Sequence, residues 1–498
     1  MTDAALFLAT LSIEKAAVSL ASGEYTSVEL TTRYLDHIAQ LDRYLHTFVR
    51  VEDTLALAQA TASDARRAKG MSRGLLDGIP YTLKDVYATR ESPTTASSHM
   101  LENWLAPYDA TVYRKLEQAG AVMLGKTNTD EFTMGASTET SYFGVTRNPW
   151  DTARVSGGSS GGPAAAVSAR FGLFSVGTDT GGSIRQPAHF CGVLGLRPTY
   201  GRISRFGELA MASSLDQTGP LTLTAQDAAI VLGVLAGEDP LDATSSPEPV
   251  ANYLATTKQS ISGLRVGVLQ EYFGEGVDPQ VEVLVRAAIK QLEALGAQVV
   301  EISVPSVMLA LAAYYIICPS EVSSNMARYD GMHFGYSVDR DSHAKHDLYQ
   351  VYAESRAQGL GAEVKRRIML GTHALSSGYF DAYYTQAEKV RAIVSKEFTH
   401  AFQQVDILAG PVSPHVAFPI GAHNQNHLAM YKEDVLTVPL NIAGVPGLSV
   451  PCGFAEGMPV GLQLIAGRFQ EAVLLQTAAA YQSCTQYHLQ LPTVFNQL

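Results

Sequence analysis

The chain has 498 residues, of which 46% are hydrophobic and 17% charged, and its net charge is −12. That much apolar material excludes global disorder and supplies a sizeable core, while the acidic balance excludes broad, non-specific binding to phosphate backbones. Cys191, Cys318, Cys452 and Cys484 are far apart and form no C-x-x-C pair, which excludes a disulfide framework or zinc site and leaves scattered buried thiols.

The amino terminus, Met-Thr-Asp-Ala-Ala, has neither the basic stretch nor the cleavage site of a signal peptide. The longest apolar run, Val307 to Cys318, is too short to cross a bilayer as a helix. A cytoplasmic protein with no membrane partner is expected. Thr10 to Ala68 carries helical patterning, with Ser27-Val28-Glu29-Leu30 leading into Leu35, Ile38 and Leu41. Residues 1–68 are therefore expected to form a helical layer ahead of one α/β domain over 69–498.

Beyond Gly74 and Gly78, the segment Ile79-Pro80-Tyr81-Thr82-Leu83-Lys84-Asp85 reads as a short strand ending in a lysine. Asp109–Gln118 reads as a helix capped by Gly120, Ala121–Leu124 as a strand, and Pro163–Arg170 as a short helix with proline in its first turn. The grammar recurs at Leu264–Leu269, a strand. It continues with a helix opened by Asp278-Pro279, bearing Val281, Leu284, Val285, Ala288, Leu292 and Leu295 and closed by Gly296, and with the strand Val299–Ile302. Such alternation implies an α/β fold with a parallel or mixed sheet covered by helices. Glu238–Gly263, with Pro240, Pro247 and Pro249, reads as a linker-like excursion. Gly410–Asn426 is loop-rich, and Leu436–Ala466 is apolar with short strands.

Chemistry concentrates between Val155 and Pro198, where Gly157-Gly158-Ser159-Ser160-Gly161-Gly162 and Gly181-Gly182-Ser183 frame serines with glycine. Glycine is used where backbone needs positive φ or must closely approach a ligand. The stretch has no Gly-Lys-Ser/Thr and no G-x-G-x-x-G after a strand, so it fits neither common nucleotide loop. Gly157 to Gly161 satisfies G-x-S-x-G, but Asn148 to Arg154 does not read as the strand a nucleophile elbow needs. Among thirteen histidines, His189 lies six residues after Ser183 and reads as a packed or surface residue; His343 and His346 read as solvated. The alternative is a Ser-Ser-Lys system. Its lysine must be neutral, which at pH 7 costs about 4.6 kcal/mol against an ordinary pKa near 10.4, and burial can supply that shift.

GIPYTLKD, GGSSGG and TDTGGSIRQPA, in that order, resemble the amidase signature family. Lys84 and Ser159 lie 75 residues apart, and Ser159 and Ser183 lie 24 apart, as in that family's pattern. The resemblance implies the family's fold, a central mixed β-sheet with helices on both faces. It also implies Ser183 as nucleophile, Ser159 on a cis peptide as proton relay and Lys84 as base. The N–H groups of Thr180, Gly181, Gly182 and Ser183 would form the oxyanion hole, with Asp179 and Arg185 bracing the loop.

LRPTYGRISRFGELAMASSLDQTGP, AAYYIICPSEVSSNMARYDG, EVKRRIMLG, ALSSGYFDAYY and the segment around Asp434 resemble one branch of the family, the glutaminase subunits of tRNA-dependent amidotransferases. That branch implies glutamine as substrate, with Arg367 on its α-carboxylate, Asp434 on its α-ammonium and Tyr314 lining the pocket. It further implies B and C partner subunits in a heterotrimer, mischarged tRNA held mainly by the B subunit, and ATP and magnesium used by the complex. No cofactor or metal is expected on this chain itself. Taken alone, Arg367 in Lys365-Arg366-Arg367 reads as part of a surface basic cluster. The sequence departs from the family pattern at Ser156, where proline is usual, and at Pro163, where a small residue is usual; loss of the first proline removes one restraint on the glycine loop.

Overall fold

The computed structural model describes residues 3–341 and 346–497, so His343 lies outside the described residues. Among the described residues one mixed sheet of eleven strands forms, in the order β1-β3-β2-β4-β6-β5-β10-β11-β9-β7-β8. The strands are β1 (Phe48–Val51), β2 (Pro80–Lys84), β3 (Val122–Thr127), β4 (Phe174–Thr178), β5 (Leu194–Arg197) and β6 (Thr218–Thr222), followed by β7 (Arg265–Leu269), β8 (Gln298–Ile302), β9 (Ile407–Pro411), β10 (Gly447–Ala455) and β11 (Met458–Ala466). β2 is parallel to β3 and β4, and β7 is parallel to β8 and β9; the remaining pairings are antiparallel. Every residue of β2, β3, β4, β6 and β9 is buried. Strands buried at successive positions have cover on both faces, as the α/β reading requires.

The strand–helix–strand unit at β7 and β8 forms as its sequence implies. The Asp278 carboxylate accepts the Gln280 N–H at 2.8 Å, Pro279 occupies the first helical position, and the helix runs to Ala294. Gly296 leaves it at φ +98°, so cap and stop both follow from local chemistry. Val281, Val285, Ala288 and Leu292 form its buried stripe, whereas Leu284 and Leu295 are only half-buried.

Four expectations need correction. Residues 1–68 are not purely helical: Phe48–Val51 is an edge strand antiparallel to β3, and the Thr47 carbonyl accepts the Asn128 N–H at 2.8 Å. Helical pattern around a four-residue strand hid it. The carboxy-terminal strands are not short, since β10 and β11 are nine residues each and pair as a hairpin; glycines and prolines within them gave the look of interruption. The apolar run at Val307 continues as a helix to Asn325, with a further turn through Arg328. At 22 residues it is long and apolar enough to cross a membrane, yet here it packs against the helices Ala362–Ala374 and Tyr384–Gln404. Cys484 is exposed, while the other three cysteines are buried. Glu238–Gly263 runs largely exposed and includes one short helix, Tyr253–Thr256.

Candidate active site

β2 and β4 are parallel neighbours, so their carboxyl ends open on the same side, where open α/β sheets commonly bind ligands. Lys84 is the last residue of β2. β4 ends at Thr178 and turns directly into Asp179-Thr180-Gly181-Gly182-Ser183. Ser159 comes from the loop ahead of the helix Gly161–Ser168, across a cis Gly158–Ser159 peptide bond. The Lys84 Nζ donates to Ser159 Oγ at 2.8 Å, to Ser160 Oγ at 2.9 Å and to Thr178 Oγ1 at 2.8 Å. The Ser160 N–H donates to the Ser183 carbonyl at 3.0 Å, fastening the two serine loops together.

Lys84 is completely buried. Burial pushes its pKa down to about 7, against the opposing pull of Glu208, Asp130, Asp179 and Asp216. Three hydroxyls can serve both states of the amine. They accept three N–H bonds from the ammonium, or accept two and return one O–H to the lone pair of the neutral amine. Ser160 and Thr178 were not singled out in the sequence. Their signal was adjacency, since one follows Ser159 and the other precedes Asp179.

Asp179 sits at the centre of the nucleophile loop. Its carboxylate accepts the Gly182 N–H at 2.9 Å, the Ile184 N–H at 3.2 Å, Arg185 Nε at 2.9 Å and Asn441 Nδ2 at 2.8 Å. Burial acts to raise its pKa, but Arg185 and Arg197 together with the hydrogen bonds hold it down at about 2. This is the bracing role expected of Asp179 and Arg185. It also corrects the oxyanion assignment, because the Gly182 N–H is already committed to Asp179. The N–H groups of Thr180, Gly181 and Ser183 make no hydrogen bond among the described residues, and they remain available to an oxyanion. Gly182 has a different necessity: its φ is +138°, and a Cβ there would stand 2.2 Å from Thr437 Oγ1.

Ser183 is 8% exposed, and its hydroxyl makes no hydrogen bond among the described residues. Ser156 does not leave the glycine loop loose. Its hydroxyl donates to the Thr146 carbonyl at 3.1 Å, which restrains the loop where proline is usual.

The structure brings Tyr314, Arg367 and Asp434 to the same end of the molecule. Tyr314, on the helix Val307–Asn325, lies over Gly181, where a Cβ would come within 2.7 Å of its hydroxyl. Arg367 is 3% exposed and therefore not part of a surface cluster, although Lys365 beside it is exposed. Its Nε donates to Glu363 Oε1 at 2.9 Å, and its two Nη groups make no hydrogen bond among the described residues. Asp434 is 8% exposed with no hydrogen bond to its carboxylate among those residues. Burial pushes its pKa up to about 8, while Arg367 draws it down and Glu433 and Asp179 raise it further.

A cavity of about 220 Å3 is lined by Arg367, Glu363, Tyr431, Glu131, Ser137 and His423, among others. Ala136 and Ser137 in its wall pack directly on Gly158 of the cis peptide. Arg367 lines this cavity and Asp434 does not; among the described residues the Arg367 Nη groups and the Asp434 carboxylate have no hydrogen-bond partner, so each can receive a group of opposite charge.

His189 and His346 stand apart from this site. His189 is buried, accepts the Gly461 N–H at 2.8 Å and lies 3.0 Å from the His415 carbonyl. Burial pushes it down to about 4, so it is a neutral packed residue as expected. His346 is not simply solvated, for its Nδ1 lies 3.2 Å from an Asp339 carboxylate oxygen. Among the described residues no group of His, Cys, Asp and Glu side chains is arranged to hold a metal ion.

The Lys84 amine bonded to Ser159 and Ser160, and the Ser160 N–H bonded to the Ser183 carbonyl, put a buried lysine and two serine loops in one place. The chain belongs to the amidase family: the family model, described as Amidase, matches residues 29–475. Within that class it is similar to proteins named as the A subunit of glutamyl-tRNA(Gln) amidotransferase. The relative from Thermosynechococcus vestitus is 54% identical over 94% of this chain and 97% of its own length. The one from Pseudomonas aeruginosa is 49% identical over 97% and 99%. Among solved structures, the glutamyl-tRNA(Gln) amidotransferase A subunit of Thermotoga maritima superposes with a TM-score of 0.81 at 38% identity, covering 98% of each chain. A peptide amidase from Stenotrophomonas maltophilia gives 0.80 at 31% identity, covering 96% of this chain and 97% of that one.

Proposed function

We propose that this chain is the glutaminase subunit of a tRNA-dependent amidotransferase, hydrolysing glutamine to supply ammonia. The ammonia converts Glu-tRNA(Gln) to Gln-tRNA(Gln), Asp-tRNA(Asn) to Asn-tRNA(Asn), or both. The observation that carries this reading is the pairing of the Lys84–Ser159 hydrogen bond with an unsatisfied Arg367 fork and Asp434 carboxylate beside the same loop. An α-amino acid bears the two charges that such a pocket lacks.

In the reaction, neutral Lys84 draws a proton through Ser159 from Ser183, whose Oγ forms a bond to the side-chain amide carbon of glutamine. Charge on the amide oxygen meets the free N–H groups of Thr180, Gly181 and Ser183. The proton returns through Ser159 to the nitrogen, the C–N bond breaks, and ammonia leaves a glutamyl ester on Ser183. Water, deprotonated by the same relay, hydrolyses that ester to glutamate and restores the serine. Arg367 holds the α-carboxylate, Asp434 the α-ammonium, and Tyr314 closes the wall against Gly181.

A B subunit carries most of the tRNA contact, which suits an A chain of net charge −12. A C subunit completes a cytoplasmic heterotrimer, and ATP with magnesium activates the tRNA-borne carboxyl outside this chain. The likeness to a peptide amidase supports a second reading, a stand-alone amidase.

Ammonia release separates the two readings. It is measured for this chain alone and then with its B and C subunits, Glu-tRNA(Gln), ATP and magnesium. A strong rise on assembly is expected; vigorous hydrolysis of simple amides by the isolated chain, unchanged by partners, overturns the amidotransferase reading.

A further inference from the structure

Arg367 can grip a carboxylate with both ends of its fork only if its Nε edge is held elsewhere, because a free guanidinium on a flexible stem presents any of its edges. Glu363 lies one helical turn earlier on Ala362–Ala374, and its Oε1 accepts that Nε at 2.9 Å. The same oxygen accepts the Tyr431 hydroxyl at 2.9 Å from the neighbouring helix His427–Lys432. The Tyr431 ring stacks on Tyr315 with centroids 4.2 Å apart. The Arg367 Cζ lies 5.6 Å from each of those two rings. Glu363 Oε2 meets Arg366, which in turn reaches His427 Nε2 at 3.0 Å. Two helices therefore meet at one carboxylate that itself lines the cavity, and Tyr315 from a third backs its partners Tyr431 and Arg367.

We propose that Glu363 is a positioning residue for substrate selection, holding the outer edge of Arg367 toward the cavity so that amides bearing an α-carboxylate are preferred. The proposal rests on Arg367 as the carboxylate partner. Glu363 keeps the charge that this role requires. Burial acts to raise its pKa, but Arg367, the Tyr431 hydroxyl and Arg366 hold it below the ordinary value. Without that charge, Arg367 loses its anchor and faces Arg366 uncompensated. Tyr431 gives the device a second point of control, since removing its hydroxyl loosens Glu363 while keeping the ring stack.

The test compares ammonia release from glutamine and from glutamine α-methyl ester, which keeps the amide and the ammonium but has no carboxylate. It uses the full chain in the assembled complex. For Glu363→Gln, the KM for glutamine is expected to rise about 10-fold with a much smaller change in kcat, as loss of a charge-assisted hydrogen bond implies. The preference for glutamine over the ester should fall by the same factor. Tyr431→Phe should move both quantities the same way by about 3-fold. If Arg367→Ala erases the preference while Glu363→Gln and Tyr431→Phe keep it intact, the positioning role of Glu363 is overturned. If Arg367→Ala itself keeps the preference, the carboxylate assignment of Arg367 falls and takes this proposal with it.

Discussion

Lys84 ends one strand, Ser183 follows the end of its parallel neighbour and Ser159 precedes a helix, all within residues 84–183. Tyr314, Arg367 and Asp434 come from two long helices and the loop after a third, spread over residues 314–434. The framework of the first group is saturated, with Lys84 meeting three hydroxyls and Asp179 tying Gly182, Ile184, Arg185 and Asn441 into one brace, while the Ser183 hydroxyl within it has no hydrogen-bond partner among the described residues. The second is incomplete, with a buried fork and a buried carboxylate that find no hydrogen-bond partner for their free atoms among the described residues. A site that must hold reacting atoms at fixed distances satisfies its own hydrogen bonds. A site that must select a ligand keeps its strongest donors and acceptors for that ligand.

The two regions should therefore respond differently to substitution. Ser183→Ala and Lys84→Ala are expected to lower ammonia release from glutamine by about 1,000-fold or more, mostly in kcat, because members of one relay fail together. Retention of activity by either variant in the assembled complex breaks the relay. Gly182→Ala should come close to that loss, since its Cβ would overlap Thr437 and its φ of +138° disfavours any side chain. Arg367→Ala is expected to cost about 100-fold in kcat/KM, falling mainly on KM. A loss confined to kcat would assign Arg367 to the chemical half.

The pH profile sharpens the contrast further. In the proposed reaction Lys84 acts as a neutral base, so with its pKa pushed down to about 7 activity is expected to fall as pH drops through 7. In the proposed binding mode Asp434 acts as an anion, so with its pKa pushed up to about 8 in the free chain glutamine binding is expected to weaken as pH falls below 8. The value of kcat/KM, which reports the free enzyme, should therefore climb across both steps from pH 6 to pH 9. Asp434→Asn should remove the upper step and leave the lower one, so a profile that keeps both steps would assign the upper one elsewhere. The smallest expected effect is chemical: a thiol reagent should label Cys484 in the folded chain and spare the buried Cys191, Cys318 and Cys452 until denaturation. Prompt labelling of a second cysteine would show an opening that this fold does not have.

The same contrast explains what could be read in the sequence. The chemical half was legible because glycines crowd around two serines at fixed separations, and backbone necessity leaves such marks. The parallel unit at β7 and β8 was legible because Asp278, Pro279 and Gly296 punctuate it. The recognition half left no local mark. Arg367 sits in a basic triplet, and only packing of its helix against Val307–Asn325 buries it while Lys365 stays exposed. Glu363 and Tyr431 were missed for the same reason, since their meeting depends on a contact across 68 residues. β1 escaped notice because four residues carry too little alternation to stand out between helices. The commitment of Gly182 N–H to Asp179 is likewise a matter of three-dimensional geometry that no motif states.

In the proposed reaction Ser183 is a nucleophile activated by Lys84 through Ser159. A fluorophosphonate probe, which bonds covalently to an activated serine, tests it when the labelled chain is digested and its peptides are mapped by mass spectrometry. One label is expected, on Ser183, with loss of that label in Lys84→Ala and in Ser159→Ala. A label on another serine, or undiminished labelling of Ser183 without Lys84, would contradict it.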